Sequence, residues 1–449
     1  MDAVTKRIAD AVDKYRHDIL AVEKFMWDNP ETGFKEWKAN AFLKEKYEAL
    51  GYTLTCADNI PGFYTVIDTG RPGPEILVMG ELDALLCSNH FHADPNTGAA
   101  HACGHNAQSA ALFGIAAALT EEGMLDGLSG RIRLCAVPAE ETGELAFRQQ
   151  LKKDGVISHF SGKREFLARG YFDGVDMAIL VHTLPVSYYS ADGKAVGLIA
   201  KHATFKGVAA HAGAAPHKGR NALYAATQGL AAINAIRETF RDDDHIRVHP
   251  IITEGGAAVN TIPDTVTVES YVRGLTFEAM ADANLRVNRA LCGAAVSLGT
   301  ELTITDTVGA APMIDNRELA AVAGEAIHML LPEAEYHFFD IIDTGSTDMG
   351  DISCLMPTIH PYVPGAAGKG HGNDYRIEDP DLACLMSAKW QICMLRILLE
   401  NGATRAKQIL ADFTPRFPDK DAYLIAREFL SGEGERVFYD ENGEIRIVL

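Results

Sequence analysis

Apolar positions recur at intervals of three and four over residues 3–27 and 36–49, which predicts two amphipathic helices. Short β-rich runs follow at 63–68, 76–79, 132–137 and 177–181. Helical stretches separate the last three, notably 107–120 and the segment after Glu144. Strands alternating with helices predict an α/β fold built on a mostly parallel sheet.

The pattern changes near residue 193. A strand (197–207), a helix (221–240), two strands (246–254 and 265–274), a helix (277–297) and a strand (301–307) spell β-α-β-β-α-β, the ferredoxin-like order. Alternating α/β pattern resumes with a helix at 317–330, a strand at 358–362 and a helix at 380–400. The predicted layout is a catalytic domain in two parts, 1–192 and 310–402, an inserted domain at 193–309, and a C-terminal extension at 403–449. In the extension a helix is predicted at 421–431 and a hairpin at Asn442-Gly443.

Composition narrows the function classes. The 449 residues carry 41 basic and 61 acidic side chains, a formal net charge of -20, which argues against a nucleic-acid partner. The charged N-terminus lacks the apolar core of a signal peptide, and no run approaches the length of a membrane span, so no membrane partner is expected. Eight Cys spread over the chain do not resemble a secreted disulfide framework, which makes the cytoplasm the expected compartment.

Candidate chemistry concentrates in four places. In His101-Ala-Cys-Gly-His-Asn106, Cys103 and His105 are two apart, so in extended chain they face the same side and reach one metal, with Asn106 capping the helix that follows. Alone, Cys103 fits a small buried hydrophobe equally well. In Val137-Pro-Ala-Glu-Glu-Thr142 a strand runs into two carboxylates, where open α/β sheets build their sites. One carboxylate can bind metal while the other moves protons; an acidic helix start is the bland alternative. His182 ends an apolar strand, and His371 lies in the Gly-rich loop Gly368-Lys-Gly-His-Gly-Asn-Asp374. Either alone reads as an ordinary loop histidine, as do His90 and His92. As a set, Cys103, His105, Glu141, His182 and His371 suit two first-row divalent ions, zinc or manganese, sharing a bridge about 3.5–4 Å wide.

These segments resemble the family of two-metal aminoacylases and carboxypeptidases. The likeness is to its aminoacylase-like branch, which includes p-aminobenzoyl-glutamate hydrolase and the auxin-conjugate amidohydrolases. The resemblance covers roughly residues 20–400 and includes Gly80-Glu-Leu-Asp-Ala-Leu85, Ala210-His-Ala-Gly213, Asn260-Thr-Ile-Pro263 and Gly345-Ser-Thr-Asp-Met-Gly350. It implies Cys103 as the thiolate bridging both ions, with His105, Glu141, His182 and His371 as the remaining ligands. It implies Glu140 as the general base acting on a metal-activated water, and Asp83 as the residue that orients a ligand. His211 is similar to the His that family members lend to the partner subunit's site to steady the oxyanion. Asn260 and Arg273 are similar to lid residues that hold the substrate carboxylate. A small-molecule N-acyl amino acid or dipeptide-like substrate and a homodimer or higher oligomer formed through 193–309 follow from the same likeness.

Asn106 stands where many relatives have Asp, and the stretch 87–100 is longer than in close relatives. Two other readings compete. A catalytically inactive metal-binding dimeric scaffold would have lost the base or a ligand, yet Glu140 and all five ligands are present. A cysteine hydrolase built on Cys103 would leave the paired Glu and the two distant His unexplained.

Overall fold

The computed structural model describes residues 2–314 and 316–449. The chain forms two compact units: Met1–Lys194 with Ile314–Ile342 and Asp351–Lys420, and Ala195–Met313 with Asp343–Gly350 and Asp421–Leu449.

The first unit is built on a six-stranded sheet, in the order Thr55–Cys56, Phe63–Asp68, Arg131–Val137, Glu75–Glu81, Met177–Ile179, Thr358–Ile359. The last four strands run parallel to one another. All seven residues of Glu75–Glu81 are buried, as expected for a parallel strand covered on both faces. Four parallel strands place their carboxyl ends at one edge of the sheet, and the segments leaving that edge carry Glu81, Glu140 and Glu141, His182, and His360. Every residue of helix His105–Leu119 is buried. Gly80 lets it approach the sheet, since a Cβ there would lie 3.2 Å from the Gln108 carbonyl oxygen and from Leu112 Cβ.

Several sequence expectations need correction. The helix expected over 3–27 is two, Ala3–Lys14 and Arg16–Asp28, broken at Tyr15, whose ψ of 13° leaves the helical range. Asn106 does not cap the helix it was expected to start. Gly104 occupies that position, and Asn106 lies inside, fully buried, donating from Nδ2 to Glu23 Oε1 at 2.8 Å. Besides several two-residue strands, two long ones were missed, Tyr189–Ala195 and Tyr336–Asp343, which pair with each other; Tyr189–Ala195 also pairs with Pro361–Val363. Polar residues interrupt both, which hid their alternation. One segment, Asp381–Asp412, is long and apolar enough by composition to cross a membrane, contrary to the sequence reading. It is mostly buried inside the first unit, like the core helix of a globular protein.

In the second unit the β-α-β-β-α-β segment forms an antiparallel sheet in the order Arg247–Glu254, Thr265–Gly274, Gly197–Lys206, Glu301–Val308. Glu301–Val308 alternates half-buried and buried residues, so one face enters the core. Helices Ala222–Ile236 and Phe277–Ser297 pack against each other and against the sheet. The end of the chain extends this sheet: Gly432–Tyr439 pairs with Glu301–Val308, and Ile445–Ile447 pairs with Gly432–Tyr439 through a turn with Gly443 at φ 75°.

Candidate metal centre

Two backbone devices aim the site. Gly104, at φ 92°, adopts the left-handed conformation that glycine tolerates, and a Cβ there would meet Tyr375 Oη at 2.5 Å. The sharp entry puts His105 at the first helical position, two residues after Cys103. The second device is Ala139, left-handed at φ 56° where the strand Arg131–Val137 has just ended. Such a conformation costs a non-glycine residue roughly 1–2 kcal/mol. Its surroundings hold it: the Ala139 N–H donates to Glu36 Oε1 at 2.8 Å, and its carbonyl accepts from the Gly162 N–H at 3.1 Å. This kink frees Glu140 and Glu141 from the alternating directions of a strand, so both carboxylates reach within 4.8 Å of His105.

The remaining members are fixed by local bonds. Asp83 accepts from the Glu141 N–H at 2.9 Å, and its Oδ1 lies 3.3 Å from His105 Nδ1. His105 Nδ1 is also 2.8 Å from the Asp83 carbonyl oxygen, and His182 Nδ1 is 3.0 Å from that of Thr183. With each Nδ1 bonded to a carbonyl, the Nε2 lone pair is the one left for a metal. His182 Nε2 lies 3.3 Å from Cys103 Sγ. His371, at φ 59°, donates its N–H to the Ala102 carbonyl at 2.8 Å, and its Nε2 lies 3.0 Å from Glu141 Oε1.

Three groups of ligand atoms result, each with all members within 4.8 Å of one another: Cys103–His105–His182, Cys103–Glu141–His371 and His105–Glu140–Glu141. Cys103 belongs to the first two. A thiolate shared between two three-residue groups is what a bridged pair of ions requires.

The electrostatics agree. Burial alone would push the Cys103 thiol up, but the adjacent His182 and His105 charges hold it well below the usual thiol range. Hydrogen bonding to Cys103 and Glu141 raises His371 to about 11. Burial and the neighbouring thiolate raise Glu141. His360, which leaves the same edge of the sheet, is buried and driven down to about 3 by desolvation. Its Nδ1 lies 2.9 Å from the Leu180 carbonyl, and it belongs to none of these groups. The cluster thus stabilises positive charge at its thiolate and carboxylates. His105 Nε2 is buried with no hydrogen-bond partner, and the donor set of sulfur, imidazole and carboxylate fits a pair of divalent metal ions.

The other expected site residues lie in the second unit. His211, in the short strand Ala210–His211, accepts at Nδ1 from the Gly213 and Ala214 N–H groups at 3.1 and 3.0 Å. In the neutral ring this leaves the proton on Nε2. The Asn260 carbonyl accepts from the Ala212 N–H at 2.9 Å and so ties down that loop. Arg273 donates from Nη1 to Ser346 Oγ at 2.9 Å.

The sequence reading missed three things here. His90, read as a surface-loop residue, is buried, with Nε2 2.7 Å from the Tyr375 carbonyl. Glu36 and the buried Glu81–Lys163 pair went unnoticed. Their partners lie 82 or more positions apart, and single-sequence periodicity carries no such signal.

Residues 194–294 match the family model for the peptidase dimerisation domain. The chain is similar to one of the subunits of p-aminobenzoyl-glutamate hydrolase from Escherichia coli, at 28% identity over 74% of this chain and 67% of that protein. It is similar to indole-3-acetyl-aspartic acid hydrolase of Enterobacter agglomerans, at 30% identity over 59% of this chain and 60% of that one. Its fold resembles that of a dinuclear metal-binding peptidase of the M20 family from Bacillus subtilis, with TM-score 0.64, 18% identity, and coverage of 86% of this chain and 99% of the other. The chain is a metal-dependent amidohydrolase or peptidase acting on C–N bonds, similar to the M20 peptidase/aminoacylase family.

Proposed function

We propose that this protein hydrolyses the amide bond of an N-acyl amino acid or dipeptide-like substrate, such as p-aminobenzoyl-glutamate, at a centre of two zinc or manganese ions. The observation that carries the reading is the sharing of Cys103 between the Cys103–His105–His182 and Cys103–Glu141–His371 groups. Both relatives named above are hydrolases of an aromatic acyl group joined to an acidic amino acid, by their names.

The ions, when bound, supply Lewis acidity toward the scissile carbonyl and acidify water. Cys103, His105, Glu141, His182 and His371 would hold them. Asp83 orients two of these ligands, bonding the His105 ring and the Glu141 backbone at once. Glu140, adjacent to Glu141 but not in the Cys103 groups, takes the proton of the attacking water and gives it to the leaving amine. His211 donates its Nε2 proton to the oxyanion of the partner subunit's substrate in a homodimer or higher oligomer assembled through the matched dimerisation domain. Arg273 and Asn260 receive the carboxylate on the amine side. All eight cysteines are unpaired, which fits a cytoplasmic home.

Glu140→Gln tests the division of labour. Metal content should stay at the wild-type level while kcat falls by at least about 100-fold, the low end for general acid–base catalysis. Unchanged turnover removes Glu140 as the base. A panel of N-acyl amino acids against metal-loaded enzyme then defines the acyl group.

A further inference from the structure

Glu81 ends the central parallel strand of the first unit and takes no part in the mechanism above. It is 1% exposed. Its Oε1 is bonded to the Nζ of Lys163, itself fully buried at the start of the short helix Gly162–Ala168. Its Oε2 points the other way and makes no hydrogen bond; the atom in front of it is His105 Nε2 at 3.1 Å, which makes none either. A Glu81 carboxylate oxygen also lies within 4.8 Å of one from Glu140.

A buried carboxylate is expected to fill both oxygens' bonding capacity. Lys163 satisfies one oxygen and balances the charge, so the carboxylate stays anionic without the other. The remaining oxygen is aimed at the same space as the one ring nitrogen of His105 that no backbone group occupies. A divalent cation between two such atoms satisfies both. An imidazole nitrogen and a carboxylate oxygen are both ordinary ligands of zinc and manganese.

We propose that Glu81 is a further metal ligand of this centre, its Oε2 sharing an ion with His105 Nε2 while Lys163 holds Oε1. The proposal rests on the two-metal reading given above. It gives the ion held by His105 a carboxylate, as Glu141 does for the ion beside His371. It makes Lys163 a positioning residue, which sets the carboxylate's rotation and balances its charge.

Cobalt(II) titration of the metal-free full-length protein, followed by d–d absorption and by bound-metal analysis, tests this without reference to turnover. Wild type should take up two ions. Glu81→Gln should bind one of them at least about tenfold more weakly and shift the d–d bands, because a ligand has been replaced. Lys163→Met should keep both ions and shift the bands less than Glu81→Gln does, because it removes a positioning contact and no ligand. If Glu81→Gln does not fold, Glu81→Asp keeps an anion for Lys163 while drawing the carboxylate back from His105, and the same weakening and shift are expected. Two ions bound in the Glu81 variant with wild-type affinity and bands would overturn the proposal and leave Glu81 as the counter-ion of Lys163. A wild-type protein that takes up no cobalt would instead bring down the two-metal reading itself.

Discussion

Gly104→Ala isolates the backbone device that delivers the ligands. The substitution adds two costs that can be separated. The first is the left-handed conformation at φ 92°, about 1–2 kcal/mol for an L-residue. The second is the clash of the new methyl with Tyr375 Oη, 2.5 Å from the ideal Cβ position. Tyr375 is buried, and its hydroxyl donates to the Thr183 carbonyl at 3.2 Å, so it cannot swing freely away. Overpacking of this kind costs about 1–3 kcal/mol. Gly104→Ala should therefore destabilise the metal-free protein by about 2–5 kcal/mol in denaturant unfolding. Tyr375→Phe removes the clashing oxygen and costs little alone, because the Thr183 carbonyl keeps His182 Nδ1 as a partner at 3.0 Å. In that background Gly104→Ala should cost only the conformational part. The double-mutant cycle should thus show a coupling of about 1–3 kcal/mol. A coupling near zero, or a Gly104→Ala cost below about 1 kcal/mol, would refute the reasoning.

Two further outcomes are expected. The Cys103–His371 pair gives the stability of the metal-free protein two opposing dependences on pH. His371, raised from 6.5 to about 11, contributes fully below 6.5 and progressively less up to about 11. Cys103, held below 9.0, contributes fully above 9.0 and less as pH falls. The two slopes oppose each other just below 9.0, and above 9.0 only the His371 loss remains, so the stability gap between wild type and a Cys103→Ser/His371→Asn variant should change little just below 9.0 and shrink between 9.0 and about 11. A gap that keeps growing as pH rises above 9.0 contradicts this. Deleting residues 432–449 strips two strands from the second unit's sheet and uncovers the Glu301–Val308 edge. Concentration-dependent self-association by light scattering is expected of such an exposed edge, and a truncated chain with wild-type size and solubility would contradict it.

Much of the site could be read from the sequence because its ligands sit where strands and helices begin or end. His182 follows an apolar strand, Glu140 and Glu141 follow another, and Cys103 precedes an alanine-rich helix. Apolar runs and turn residues mark such junctions. What stayed hidden was set by tertiary contacts. Nothing in Pro138-Ala-Glu marks Ala139 as left-handed; Glu36, 103 positions away, holds it there. Asn106 has the composition of a cap but lies inside the helix, because Gly104 turns the chain two residues earlier. The order of the ferredoxin-like strands was legible from their alternation. The end of the chain was not recognisable as their continuation, since a short hairpin carries no mark of the edge it will join.

Metal stoichiometry in single-ligand variants tests the central claim most directly. Metal-free protein reloaded with manganese or zinc and freed of excess should hold two ions per chain in the wild type. His182→Ala and His371→Ala should each lose one ion, because each belongs to only one of the Cys103 groups. Cys103→Ser should weaken both sites together, since its sulfur is common to the two. A Cys103→Ser protein that retains both ions at wild-type affinity would contradict the bridged centre, and lost turnover with intact metal would favour Cys103 as a nucleophile instead.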